Sequence, residues 1–188
     1  MDDRLRIGAR APDFALPSQS GEVVRLNDFH GKPVVLFFYP KDNTLGCTKE
    51  VCAFRDNFEE YRKLDAEVIR ISSDSVESHK AFVQKHDLPF ALLSDGGGKV
   101  RKLYGVPNTL GLFPGRVTYV VDESGVVRHI FSSQLGVERH VQEAINALQR
   151  QDRAPRRPSS CQTTNTYELR FRAMLTEDGP RQVELTRA

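Results

Sequence analysis

Two cysteines five residues apart, Cys47 and Cys52, are the side chains of this sequence best suited to covalent chemistry. A thiol reacts as its thiolate, so the question is which of them its surroundings deprotonate near neutral pH. Val51, Phe54, Phe58 and Tyr61 recur at helical spacing and predict a helix over roughly residues 47–64. Cys47 then falls in the first turn, where unpaired backbone N–H groups and the positive dipole end favour an anion and can draw a thiol pKa to about 3.5–7.5. Cys52 sits more than a turn deeper and lacks that help. At about 100° per residue, Cys47 lies within the stripe of Val51, Phe54 and Phe58, whereas Cys52 points well outside it. Cys47 reads as sheltered and Cys52 as lying on the flank.

A thiolate that reduces a peroxide needs a donor to orient the substrate, positive charge for the departing oxygen and exclusion of bulk water. Thr44, three residues before Cys47, can donate and accept through its hydroxyl. Pro40 shapes the same loop and presents an apolar ring with no N–H to satisfy. Arg116, which opens a predicted strand after Pro114-Gly115, is the candidate cation by chain order. Other thiol chemistries fit less well. Zinc binding lacks tight ligand spacing and nearby histidines. A cysteine hydrolase needs a His base, yet His30, His79, His86, His129 and His140 are scattered outside the cysteine segment and read as ordinary polar positions. A protein thiol-disulfide oxidoreductase calls for C-x-x-C, and four residues intervene here. Gly96-Gly97-Gly98 lacks the Lys-Ser or Lys-Thr ending of a phosphate loop and reads as a flexible turn.

These residues need a scaffold, and the elements around them suggest one. Residues 34–39 form a continuous β-branched and aromatic run bounded by Pro33 and Pro40, as expected of a strand buried on both faces. A strand follows at 67–72, then a helix opened by Asp74 with Glu77 three residues later and ending near Asp87. Residues 116–121 and 126–131 flank Asp122-Glu123-Ser124-Gly125 as an antiparallel hairpin. Val137, Val141, Ala144, Ile145 and Leu148 mark a last helix covering the sheet. The order implies a three-layer α/β sandwich with a mixed central sheet.

Hydrophobic residues at 39%, charged residues at 28% and no apolar run of about 18 residues describe a soluble globular chain of 188 residues. Residues 1–149 carry net charge −1 and residues 150–188 carry +3, so the body offers no field for nucleic acid. Three cysteines are too few for a disulfide framework. The start is acidic before it is basic and meets no apolar stretch of signal length, so the expected location is the cytoplasm. After Arg150 a Pro-, Arg- and Ser-rich stretch reads as a linker, dividing the chain into a domain at 1–150 and a basic tail at 151–188, read as a small hairpin or as disordered. Cys161 in that tail reads as an exposed thiol without a task. The body shows no spare apolar face, and a monomer is expected.

The segment FFYPKDNTLGCTKEVC, residues 37–52, resembles the active-site loop of peroxiredoxins, with Pro40, Thr44 and Cys47 in P-x-x-x-T-x-x-C spacing. A second cysteine five residues on is similar to the bacterioferritin comigratory protein and peroxiredoxin Q branch. APDFALPSQSGE at 11–22, SDSVESHKAF at 73–82 and PGRVTYVVDESGVV at 114–127 also resemble that branch. The resemblance implies a thioredoxin-like fold, reduction of hydrogen peroxide and alkyl hydroperoxides without a cofactor, and recycling by thioredoxin. It also implies Cys47 as peroxidatic nucleophile, Cys52 as resolving thiol and Arg116 as activating arginine. Glu50 has two readings, one favouring the helix dipole and the other orienting Arg116. Five residues of ideal helix separate two Cα atoms by roughly 8.6 Å, beyond the roughly 7 Å limit for a disulfide, so a Cys47–Cys52 bond requires the helix to open. The contrasting reading is a redox sensor, with Cys47 oxidation as the signal and the tail as docking element.

Overall fold

Val34 to Phe38 are buried at every position, the pattern that the bounded apolar run demands of a central strand. The computed structural model describes residues 5–42, 45–109, 113–134 and 136–152. In chain order the elements are β1 (Ala15–Pro17), β2 (Val23–Arg25), a 3-10 turn (Leu26–Phe29), β3 (Val34–Phe38), α1 (Leu45–Asp56), α2 (Phe58–Lys63), β4 (Glu67–Ser72) and α3 (Val76–His86). They continue with β5 (Ala91–Ser94), α4 (Lys99–Leu103), β6 (Asn108–Thr109), β7 (Phe113–Pro114), β8 (Val117–Val121), β9 (Val127–Ser132) and α5 (Val137–Asp152).

Five strands form one sheet in the order β5-β4-β3-β8-β9. β4 and β5 run parallel to β3, while β8 is antiparallel to β3 and β9 to β8. The expected mixed sheet and α/β sandwich are therefore present. Val35, Phe37 and Tyr39 face one core with Val51 and Phe54 of α1, Tyr61 of α2, Phe82 of α3 and the apolar stripe of α5. Leu36 and Phe38 face a second core with Phe14, Val24 of β2, Phe29 and α4's Val100, joined by Tyr104 just beyond α4. Strand periodicity alone sends alternate residues of β3 to these two layers. Among the described residues no helix is long and apolar enough to cross a membrane.

Local chemistry accounts for where the elements depart from expectation. The helix expected over 47–64 is two helices: at Asn57 the backbone leaves the helical region (φ −103°, ψ 10°), and the Asn57 side-chain amide joins its backbone N–H in donating to the Ala53 carbonyl, at 2.8 and 3.2 Å. Such local side-chain bonding competes with helix continuation. The cap of α3 is Ser75, which accepts from the Ser78 N–H at 3.3 Å, rather than Asp74. Asp74 instead receives the Ser72 hydroxyl and the Asp42 N–H. β1, β2, β5 and α4 had no sequence expectation. The 153–188 tail, with Cys161 and the expected small hairpin, lies outside the described residues.

Candidate active site

β3 delivers the chain to Tyr39 and Pro40 at the carboxyl edge of the parallel strands, where open α/β sheets hold their ligands. Tyr39 is fully buried and Pro40 half-buried. α1 begins at Leu45, so Cys47 is its third residue and falls in the first turn, as the sequence indicated. The side chains of Cys47 and Glu50, and Thr44 altogether, lie outside the described residues. Val51 and Phe54 are fully buried, whereas Cys52 is half-exposed and a free thiol, which agrees with its place on the flank.

Strand register brings Arg116 to the same edge. Phe38 pairs with Val117, so the residues next beyond that ladder are Tyr39 on one strand and Arg116 on the other. Arg116 is half-buried, and its Nη1 donates to the Gln134 carbonyl at 3.5 Å. A residue that no sequence signal singled out touches both segments. Arg101 of α4, buried, donates from Nη2 to the Tyr39 carbonyl and from Nη1 to the Gly115 carbonyl at 2.9 Å. Burial draws its pKa below the ordinary arginine value, against the pull of Asp95.

A buried polar network holds the entrance to the 43–47 segment. The Asp42 carboxylate accepts from Tyr39 Oη at 2.7 Å, Ser78 Oγ at 3.0 Å and His79 Nδ1 at 2.9 Å. His79 Nε2 reaches the Leu93 carbonyl at 3.2 Å. Burial acts to raise the Asp42 pKa, but the bonds from His79 and Tyr39 outweigh it and hold the carboxyl below its usual value. Beside this network Arg70 is fully buried, its guanidinium 4.4 Å from the Tyr39 ring centre, 4.7 Å from that of Phe37 and 5.5 Å from that of Phe54. Cations and aromatic faces thus stand together at this end of β3, in a setting that excludes water.

Two histidines read as ordinary polar positions are in fact buried and structural. Besides His79, His140 of α5 meets the Thr118 hydroxyl at 2.8 Å through Nδ1 and the Ser133 carbonyl at 3.0 Å through Nε2. A carbonyl only accepts, so Nε2 carries the proton and Nδ1 accepts from Thr118. Burial pushes the His140 pKa down to about 4; the Ser133 bond opposes this, while Arg116, Arg70 and Arg139 add to it. An unfolded histidine titrates near 6.5. Between that value and about 4 the unfolded chain binds the extra proton and the folded chain does not, so this contribution to stability is present above pH ~6.5 and is lost as pH falls. The loss is expected to reach roughly 3 kcal/mol. Urea unfolding of the parent and His140→Gln between pH 7 and 4.5 checks it: the parent loses stability more steeply, and parallel curves would contradict the assignment.

The AhpC/TSA family pattern matches residues 7–130. Over 143 residues, 76% of this chain and 66% of its counterpart, the sequence is 54% identical to the chloroplastic peroxiredoxin Q of Triticum aestivum. The chain thus spans about two thirds of that relative's length. The peroxidoxin BcpB of Mycobacterium tuberculosis superposes with a TM-score of 0.73 at 36% identity, over 78% of this chain and 98% of that one. The bacterioferritin comigratory protein of Xanthomonas campestris, whose structure is described in connection with alkyl peroxide reduction, gives 0.70 at 30% identity, over 78% and 97%. The three-layer sandwich is therefore thioredoxin-like. The expectation of a cytoplasmic location is overturned, since relatives at this level of identity are named chloroplastic and point to the plastid. That expectation rested on finding no apolar signal stretch, and plastid-targeting segments are not apolar.

Proposed function

Because the chain belongs to the AhpC/TSA family and is a peroxidase of the peroxiredoxin type, we propose that Cys47 is its peroxidatic nucleophile and Cys52 its resolving thiol. The Cys47 thiolate attacks one peroxide oxygen, the O–O bond breaks, and the other oxygen leaves as water or alcohol after taking a proton, which leaves a sulfenic acid. The Cys52 thiol then attacks that sulfur, water departs and a disulfide forms. Thr44 orients the peroxide, Pro40 shields the sulfur and Arg116 stabilises the thiolate and the departing oxygen anion. Peroxidases of this family need no prosthetic group and are reduced by dithiols. We assign that role here to thioredoxin, with hydrogen peroxide and organic hydroperoxides as substrates. The alkyl peroxide chemistry named for the Xanthomonas campestris relative supports the organic substrates. The catalytic unit is residues 1–150, acting as a monomer, with the tail dispensable for chemistry.

The observation that carries this reading is the position of both cysteines on one helix. Cys47 stands in the first turn of α1 at the carboxyl edge of β3, and Cys52 lies on the flank of the same unbroken helix, Leu45–Asp56. Ideal helix geometry separates their Cα atoms by roughly 8.6 Å, so closing the bond requires α1 to unwind locally. One equivalent of peroxide should therefore give a disulfide that peptide mapping places between Cys47 and Cys52, together with faster amide exchange over residues 47–52. Cys52→Ser should consume one equivalent, hold a trappable sulfenic acid and fail to recycle. A disulfide mapped elsewhere, unchanged exchange after oxidation, or thioredoxin-dependent turnover by Cys52→Ser would each sink the resolving role.

A further inference from the structure

We infer that Arg101 is a positioning residue of the peroxidase site, fixing Arg116 against the Pro40 end of β3; the inference rests on the functional reading above. One guanidinium donates to the carbonyls of Tyr39 and Gly115, the residues immediately before Pro40 and Arg116. It thereby sets the separation between the wall that shields the sulfur and the cation that serves the departing oxygen. Two parallel donors on a rigid plane can do this, whereas a lysine ammonium is a single point on a flexible stem.

The anchor itself is held. The Asp95 carboxylate, buried at the end of β5, accepts the Arg101 N–H at 2.8 Å and the Val100 N–H at 3.2 Å. Asp95 in turn donates its own N–H to the Ser72 carbonyl at the end of β4, 2.7 Å away. The segment before Arg116 is also clamped from its other side. Gly115 N–H donates to the Pro107 carbonyl at 2.9 Å, and a Cβ at position 115 would overlap that same oxygen. The chain thus reaches Arg116 through a backbone that only glycine can occupy here, gripped between Pro107 and Arg101. Helix α4 is only five residues long, and its apolar contact to the core is already made by Val100.

A double-mutant cycle in kcat/KM for hydrogen peroxide tests the assignment, using the parent, Arg101→Met, Arg116→Met and the double variant. Arg101→Met alone is expected to lower kcat/KM by about ten- to a hundredfold, the scale of a misplaced catalytic group. In the Arg116→Met background the same change should cost less than about twofold, since the group it positions is gone. A residue that merely supports the fold would cost the same in both backgrounds. Arg101→Lys keeps charge and stem while reaching only one carbonyl, and serves if the methionine variant does not fold. It should be folded, impaired, and equally without effect once Arg116 is removed. Equal losses in both backgrounds, or full activity of Arg101→Lys, would overturn the Arg101 assignment alone. A parent inert toward peroxide would overturn the functional reading, and this inference with it.

Discussion

Replacing Cys47 by serine is expected to abolish peroxide turnover, lowering its rate by at least about a thousandfold, while leaving the fold and its thermal midpoint nearly unchanged. A serine hydroxyl remains protonated where a thiol at a helix N-terminus ionises, and it cannot pass through the sulfenic acid on which the cycle depends. Position 47 lies in the first turn of α1, and Val51 and Phe54 are fully buried core residues of the same helix. Exchanging one sulfur for an oxygen keeps the side chain nearly the same size and removes the atom that does the chemistry. Circular dichroism and stopped-flow peroxide consumption check the two halves separately. A serine variant that still consumes peroxide at the parent rate would move the nucleophile elsewhere in the chain.

Replacing Arg116 by methionine is expected to lower kcat/KM for peroxide by roughly a hundredfold to a thousandfold, the range found when one preorganised electrostatic contact to a developing oxygen anion is removed. Strand pairing places Arg116 across from Tyr39 at the end of β3, where the side chains of Phe37, Tyr39 and Phe54 are fully buried and keep the neighbouring core free of water. Charge acts over a long reach in such surroundings. The His140 ring, held down to about 4 by burial first and by Arg116 and Arg70 in addition, registers the same field. Two further changes follow in Arg116→Met. The Cys47 thiol should need a higher pH to ionise, moving the acid limb of the activity profile upward, and His140 should become easier to protonate. Proton-detected titration of His140 together with the pH profile reads both. An unshifted acid limb with full activity would remove Arg116 from the mechanism.

The parts of this architecture that follow from local rules could be read in the sequence. A bounded apolar run made β3, two segments flanking a short turn made β8 and β9, and helical periodicity put Cys47 in a first turn and Cys52 on a flank. Proposing Arg116 as the cation needed chain order together with family resemblance, and the β3–β8 register sets it opposite Tyr39 at the end of β3. What escaped the sequence depends on contacts made across the fold. Arg101 stands between Lys99 and Lys102 in a basic stretch, and nothing in type or spacing separates the one that turns inward. His79 and His140 were indistinguishable from surface histidines because their partners lie 37 and 22 residues away, at Asp42 and Thr118. Arg70 interrupts an apolar strand as a charged residue, yet the rings that cover it come from β3, from Tyr39 just beyond it and from α1. The break at Asn57 was legible in principle, since asparagine readily bonds back to a carbonyl one turn earlier.

The central claim, a two-cysteine peroxidase cycle on α1, is tested most directly by peroxide-dependent NADPH oxidation coupled through thioredoxin and its reductase, run on the parent, Cys47→Ser and Cys52→Ser. The account predicts sustained turnover by the parent, none by Cys47→Ser, and a single stoichiometric reaction without recycling by Cys52→Ser; an inert parent, or a Cys47→Ser protein that still turns over, would contradict it.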